Sequence, residues 1–222
     1  MRLVALIFAT LVLCFASTPV LGMEVGPIAG FSFSNLRING ESGVEGRSSF
    51  TAGVAVDYPI SDRAGIRVEP SFVSKGAKAT KRNAYWGTVD GAVFDLSYIN
   101  FPVLARYDLA ATDTHGYFIG GLALGFATNR QLQMTQGQDK ETVNFDDVFK
   151  SYDFSVDFGL GISFDAAGNR MTMDGRASYG LININDGGTV TFQDATLDVP
   201  STSTHTLAFR LLATYFFPVG EK

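Results

Sequence analysis

The sequence predicts an all-β protein, an eight-stranded antiparallel up-and-down transmembrane β-barrel. Three observations predict it. Bulky apolar residues alternate with small or polar ones through eight separate runs. Short and long connections alternate strictly between those runs. After the first 22 residues, no stretch of about 18 apolar residues is available for a membrane helix.

The opening segment reads as a leader rather than as structure. Arg2 precedes an apolar stretch from Leu3 to Ala16, then come Ser17, Thr18 and Pro19. Val20 and Gly22 suit a cleavage site before Met23, the pattern of a secretory signal peptide. Residues 1–22 are therefore read as signal peptide and residues 23–222 as the barrel domain. Cys14 is the sole cysteine, and its neighbours Leu13 and Phe15 are unsuited to lipid attachment. The chain after the leader then has neither disulfide nor thiolate chemistry. Hydrophobic residues at 46% and charged residues at 18% exclude a disordered chain. A net charge of −5 gives no reason to expect nucleic acid as a partner.

The first run sets Val25, Pro27, Ala29, Phe31 and Phe33 against Gly26, Gly30, Ser32 and Ser34, with Ile28 as an exception. The second sets Phe50, Ala52, Val54, Val56 and Tyr58 against Thr51, Gly53, Ala55 and Asp57. The third sets Ile66, Val68, Pro70 and Phe72 against Arg67, Glu69, Ser71 and Lys75. In the fourth, Ile99, Phe101, Val103, Ala105, Tyr107 and Leu109 oppose Tyr98, Asn100, Pro102 and Arg106. The fifth alternates Phe118, Leu122, Leu124 and Phe126 with Gly121, Ala123 and Gly125. The sixth opposes Phe154, Val156, Phe158, Leu160, Ile162 and Phe164 to Asp153, Ser155, Asp157, Gly159, Gly161 and Ser163. The seventh carries Met171, Met173, Ala177 and Tyr179 against Thr172, Asp174, Arg176 and Ser178. The eighth carries Leu207, Phe209, Leu211, Ala213, Tyr215 and Phe217 against Thr206, Ala208, Arg210 and Thr214.

These runs have the length that a tilted strand needs to cross a bilayer, about 9–11 residues or somewhat more. Segments 60–65, 110–116 and 165–169 are short, whereas 35–48, 76–92, 129–151 and 183–203 are long and polar. Short periplasmic turns and long extracellular loops produce such an alternation. Tyr58, Tyr107, Phe164, Tyr215 and Phe217 then fall at the short-turn end, and Phe33, Phe50, Phe126 and Phe154 at the other, as two aromatic girdles would. The polar rows hold Gly, Ser, Thr and a few opposite charges. Strands facing water usually carry more Lys and Glu. The bulky rows are therefore expected to meet lipid and the small, charged rows to fill a narrow lumen.

The ordered motifs EPSFVSKGAK (69–78), SYINFPVLARYDL (97–109), GYFIGGLALGF (116–126), DFGLGISF (157–164) and ASYGLININD (177–186) resemble those of PorT-like small outer-membrane β-barrel proteins. The resemblance covers nearly all of residues 24–217, with Asn100 standing where relatives often carry Glu. It implies a bacterial outer-membrane location, lipid as the surrounding partner, and delivery by periplasmic chaperones and barrel-assembly machinery. It carries no common catalytic residue. The tail Pro218–Lys222 follows the last aromatics, so Phe216 and Phe217 are both open as the assembly signal.

Counting outward from the turns gives two expected lumen networks. Asp57, Arg67, Glu69 and Arg106 should meet low in the barrel. Asp157, Asp174, Arg176 and Arg210 should meet near its middle. Buried charges are tolerable when paired and hydrogen-bonded. A structural plug is the favoured role, with a gate or ion path as the alternative. The chain is expected to be a non-enzymatic, monomeric barrel with a structural or surface-interaction role. The alternatives are a narrow porin-like channel and a lipid-modifying enzyme. Only His115 and His205 could serve a nucleophile system, the latter near Ser201 and Ser203. Asp139, Glu141, Asp146 and Asp147 make one loop acidic without EF-hand spacing, so no metal is expected. The glycines of residues 120–125 lie in a strand and form no phosphate loop, and no cofactor is implied. Tyr85 and Trp86 are candidate contacts for an extracellular ligand at the long loops.

Overall fold

The computed structural model describes residues 22–38, 44–80, 91–136, 139–144, 148–192, 195–199 and 201–220. Thirteen strands lie among them. They are β1 (Met23–Ile38), β2 (Val44–Pro59), β3 (Ala64–Val68), β4 (Ser71–Thr80), β5 (Gly91–Asp108), β6 (His115–Gln136) and β7 (Asp139–Asn144). There follow β8 (Tyr152–Ala166), β9 (Asn169–Gly180), β10 (Gly188–Phe192), β11 (Ala195–Val199), β12 (Thr204–Tyr215) and β13 (Phe217–Val219). Every pairing is antiparallel, and β1 pairs with β2 on one side and with β12 and β13 on the other. This closes a ring of eight staves, as expected. β3 and β4 form one stave, and β12 and β13 form another. Closure leaves no sheet edge within the hydrocarbon, where no water could satisfy one.

The break between β3 and β4 falls at Glu69–Pro70, because Pro70 has no N–H for the ladder. Its neighbours keep the wall continuous: the Val54 N–H bonds to the Pro70 carbonyl at 3.0 Å and the Glu69 N–H to the Pro102 carbonyl at 3.2 Å. The turn between β8 and β9 has two residues, Ala167 (φ 57°) and Gly168 (φ 81°), both left-handed as a type I′ hairpin requires.

Several strands run well beyond the expected runs. β6 has 22 residues and β5 has 18. Much of what reads as long outer loop is therefore strand. The outer ends of these strands are largely polar, so the period-two signal that marks a lipid-facing strand fades there, although Leu96 and Leu132 are buried. β10 and β11 form a separate two-stranded sheet within the last connection.

The sidedness is as the alternation predicts. Phe31 is 60% exposed and Leu160 66%, together with Phe50, Phe118, Phe158, Phe209 and Leu211 on the outer surface. Ser32, Thr51, Asp57, Asp157, Thr172 and Arg210 are buried within the barrel. Ile28 points inward against Ala55, Leu212 and Phe216.

Candidate functional site: an ionic strut across the lumen

The inward rows of β2, β3, β5, β8, β9 and β12 carry the charges. Register places Asp57 opposite Arg67, Arg176 opposite Gly159, Asp174 opposite Gly161, and Arg210 beside Arg176. Side chains then reach across the lumen as well as along the wall.

At the end of the barrel that carries the short turns Phe216 is fully buried and forms an apolar floor with Ile28, Ala55 and Leu212. The guanidinium of Arg170 stacks on the Phe216 ring at 4.3 Å and that of Arg67 at 5.0 Å. Arg170 also pairs with Glu24 and lies 3.2 Å from Asp57. Arg106 lies 3.2 Å from Asp57 and pairs with Asp108, which in turn faces His115 at 3.3 Å.

Above this floor, Arg67 donates to Asp57 at 2.7 Å and approaches Asp174 at 3.6 Å. Arg176 donates to both carboxylate oxygens of Glu69, at 2.5 and 2.8 Å, and also bonds Asp174. The Tyr117 hydroxyl donates to Asp174 at 2.7 Å. Gly161 and Gly159 make room for this crossing: a Cβ on Gly161 would lie 2.5 Å from the Tyr117 ring, and one on Gly159 would lie 2.8 Å from Arg176. Arg67, Arg106, Arg170 and Arg176 thus meet Glu24, Asp57, Glu69, Asp108 and Asp174 in one paired cluster, in which bidentate Arg–carboxylate geometry adds strength and direction.

The expected division into two networks is corrected here. Asp174 and Arg176 belong with the lower set, because β9 lies across the lumen from β3. Glu69 takes Arg176 as its hydrogen-bonded partner, while Arg67 stays at 3.9 Å. From the middle set, Arg210 and Asp157 form a pair of their own. The sequence reading missed a third crossing, Lys75 to Asp153 at 2.8 Å. Asp153 also accepts from Thr206 at 2.9 Å, and Lys75 sits over the Tyr98 ring. Parity would have placed Tyr117, Ile119 and Phe216 inward, since Phe118, Tyr215 and Phe217 point out. No local signal reveals which heights meet across the ring.

His115 lies at the short turn between β5 and β6, with Nδ1 2.5 Å from the Thr112 carbonyl. His205 Nε2 lies 3.2 Å from Ser203 Oγ and Nδ1 3.0 Å from the Gly180 carbonyl, with its ring stacked on Tyr179. Tyr85, Trp86, Asp146 and Asp147 lie outside the described residues, as do the side chains of Asp139 and Glu141. Among the described residues no group of three or more His, Cys, Asp or Glu could hold a metal ion.

Residues 15–186 match the family model for the outer membrane protein β-barrel domain. The chain belongs to that family. It is a bacterial outer-membrane protein, and its apolar exterior faces membrane lipid. Among solved structures it is similar to the outer membrane protein OprG from Pseudomonas aeruginosa, with 12% identity, 90% of this chain and 98% of that chain covered, and a TM-score of 0.50. It is also similar to a major outer membrane protein from Thermus thermophilus, with 12% identity, coverage of 85% and 99%, and a TM-score of 0.49. The attachment invasion locus protein Ail of Yersinia pestis has 14% identity, coverage of 89% and 100%, and a TM-score of 0.44. No curated protein matches the sequence.

Proposed function

We propose that this outer-membrane barrel is a closed, non-catalytic structural or surface-interaction protein of the PorT-like type. The observation that carries the reading is the strut: Arg176 spans the lumen to Glu69 above a floor built on Phe216. An eight-stranded barrel has an interior that side chains just fill, and here paired charges fill it. The lumen residues Asp57, Arg67, Glu69, Arg106, Asp157, Asp174, Arg176 and Arg210 act as a plug that fixes strand stagger. Planar-bilayer recording tests this directly. The intact protein should show no unitary conductance, and Arg67→Met or Arg176→Met should lower thermal stability. Steady channels from the intact protein, or increased conductance with unchanged stability in either variant, would establish a gated pore instead.

The barrel works as a monomer without a cofactor. The leader 1–22 is removed before Met23, where β1 begins, and mass measurement of the protein from membranes should find that terminus. Phe217 faces outward and is 47% exposed, while Phe216 is sealed in the floor. This supports Phe217 as the residue offered to the assembly machinery.

One observation favours a second reading, a lipid-modifying enzyme: the Ser203–His205 hydrogen bond has a nucleophile–base arrangement. The group orienting His205 is the Gly180 carbonyl rather than a carboxylate. Lipid deacylation by the intact protein that disappears in His205→Ala would support the enzyme, and absence of deacylation would dismiss it.

A further inference from the structure

The lipid-facing surface is not smooth. An indentation of about 920 Å³ crosses it from β12 to β3. Its lane follows the ladder. Phe209 lies opposite Ala177, Ala177 opposite Phe158, Phe158 opposite Gly120, Gly120 opposite Ala105, and Ala105 opposite Ile66. Ala105 and Gly120 put almost no side chain on two neighbouring staves. The exposed pair Tyr107 and Phe118 walls the lane on the side of the short turns, and the exposed pair Val103 and Leu122 walls it on the other. Strands of such barrels tilt by about 35–45°, so a lane along their hydrogen bonds runs obliquely through the hydrocarbon.

Ile60 and Ala64 line the end of the groove, and they flank the short turn from β2 to β3. The Ile60 N–H bonds to the Ala64 carbonyl at 2.8 Å, and the Asp108 N–H to the Arg63 carbonyl at 2.7 Å. The turn is thereby fixed against the end of β5. Asp62 and Arg63 are exposed in it, and neither forms an ion pair with a described residue. Tyr58 and Tyr107 mark this height as the aromatic girdle, where lipid headgroups lie. An anion and a cation therefore stand together at the mouth of an apolar groove. A second indentation, of about 640 Å³, shares Leu160 and Gly175 with the first. Its lining lies wholly within strands, so it has no turn charge at its end.

Lipid already covers the surface on either side of the groove, and an acyl chain is what continues that cover into it. The charges at the mouth select the headgroup. Arg63 offers a planar fork of donors to a phosphate. Asp62 beside it offers an acceptor to an ammonium. We propose that the groove and the Asp62–Arg63 turn bind one zwitterionic phospholipid with a primary ammonium, of the phosphatidylethanolamine type. One acyl chain lies in the groove, the phosphate meets Arg63 and the ammonium meets Asp62. The site is on the outside of the wall and does not depend on the plug within it.

The test is native mass spectrometry of the full protein in detergent micelles. It is titrated with phosphatidylethanolamine, phosphatidylcholine or phosphatidylglycerol, each with two palmitoyl chains. One phosphatidylethanolamine should be retained more tightly than either of the others, because choline has no N–H to donate and the glycerol headgroup has no cation. Ala105→Phe fills the groove and should weaken retention about tenfold or more. Ala177→Phe should act likewise from a different stave. Ala213→Phe fills the second indentation and should change nothing. Arg63→Gln should weaken all three lipids about fivefold, the scale of an exposed ion pair. Asp62→Asn should weaken phosphatidylethanolamine alone. Heat-dependent gel mobility should show a folded barrel in every variant, since these positions face lipid or water. Equal retention of the three lipids by the intact protein would overturn the site. Undiminished retention in Ala105→Phe and Ala177→Phe, an equal loss in Ala213→Phe, or indifference to Arg63→Gln would do the same.

Discussion

Arg176 is fully buried and bonds Glu69 on the opposite wall and Asp174 on its own strand. Its charge is matched, so its loss would expose the desolvation cost of the carboxylates left behind. Arg176→Met should cost about 3–5 kcal/mol, the usual penalty for breaking one side of a buried ion pair. A lower denaturant midpoint for the heat-shifted gel band would measure it. The double variant Arg176→Met, Glu69→Leu should recover much of the loss, because it removes both charges together. Gly161→Val makes a sharper demand. Its Cβ alone would sit 2.6 Å from the Tyr117 hydroxyl that bonds Asp174. That variant should fold poorly, and Gly161→Val, Tyr117→Ala should recover only part of the loss, because the ring is gone but the Met173 carbonyl, 2.6 Å from the same Cβ, remains. Both outcomes are readable as the fraction of heat-shifted protein.

At the scale of elements, the β8–β9 turn carries a removable strain. Ala167 sits at φ 57°, where an L side chain crowds its own backbone and glycine does not. Asp165 steadies the turn by accepting from the Gly168 N–H at 3.2 Å. Ala167→Gly should therefore stabilise the barrel by about 0.5–1 kcal/mol, net of glycine's greater chain entropy. Equilibrium unfolding in urea with lipid vesicles would check the sign. The β3–β4 break has the opposite character. Pro70 interrupts a stave without opening it, because Val54 and Pro102 bond to the interrupted segment from both sides.

The whole molecule is inside out relative to a soluble barrel. Leu160, near the centre of β8, is two-thirds exposed and faces hydrocarbon. Leu160→Arg should cost about 2–4 kcal/mol, the penalty for a cation on the lipid face near the midplane. In a water-facing strand an exposed leucine tolerates such a change almost freely. Unfolding of Leu160→Arg in phospholipid vesicles decides between the two, and an unchanged stability would invert the sidedness. The same closure that hides the backbone from lipid brings β3 and β9 to opposite sides of one narrow space. Their charges meet there as a strut.

The sequence by itself determined the fold class, the membrane, and which face of each stave looks inward. A period of two is local, and each run of Phe, Leu and Val against Gly, Ser and Asp states it independently. It also placed Asp57, Arg67, Glu69 and Arg176 in the lumen, because parity alone decides that. The tertiary structure decided who meets whom: Arg176 with Glu69, Lys75 with Asp153, and Phe216 beneath them. Those meetings depend on the stagger between neighbouring strands, summed around a closed ring. No single strand encodes that sum. It also decided where the strands end, since the outer ends of β5 and β6 are largely polar and carry no clear alternation that would mark them in the sequence.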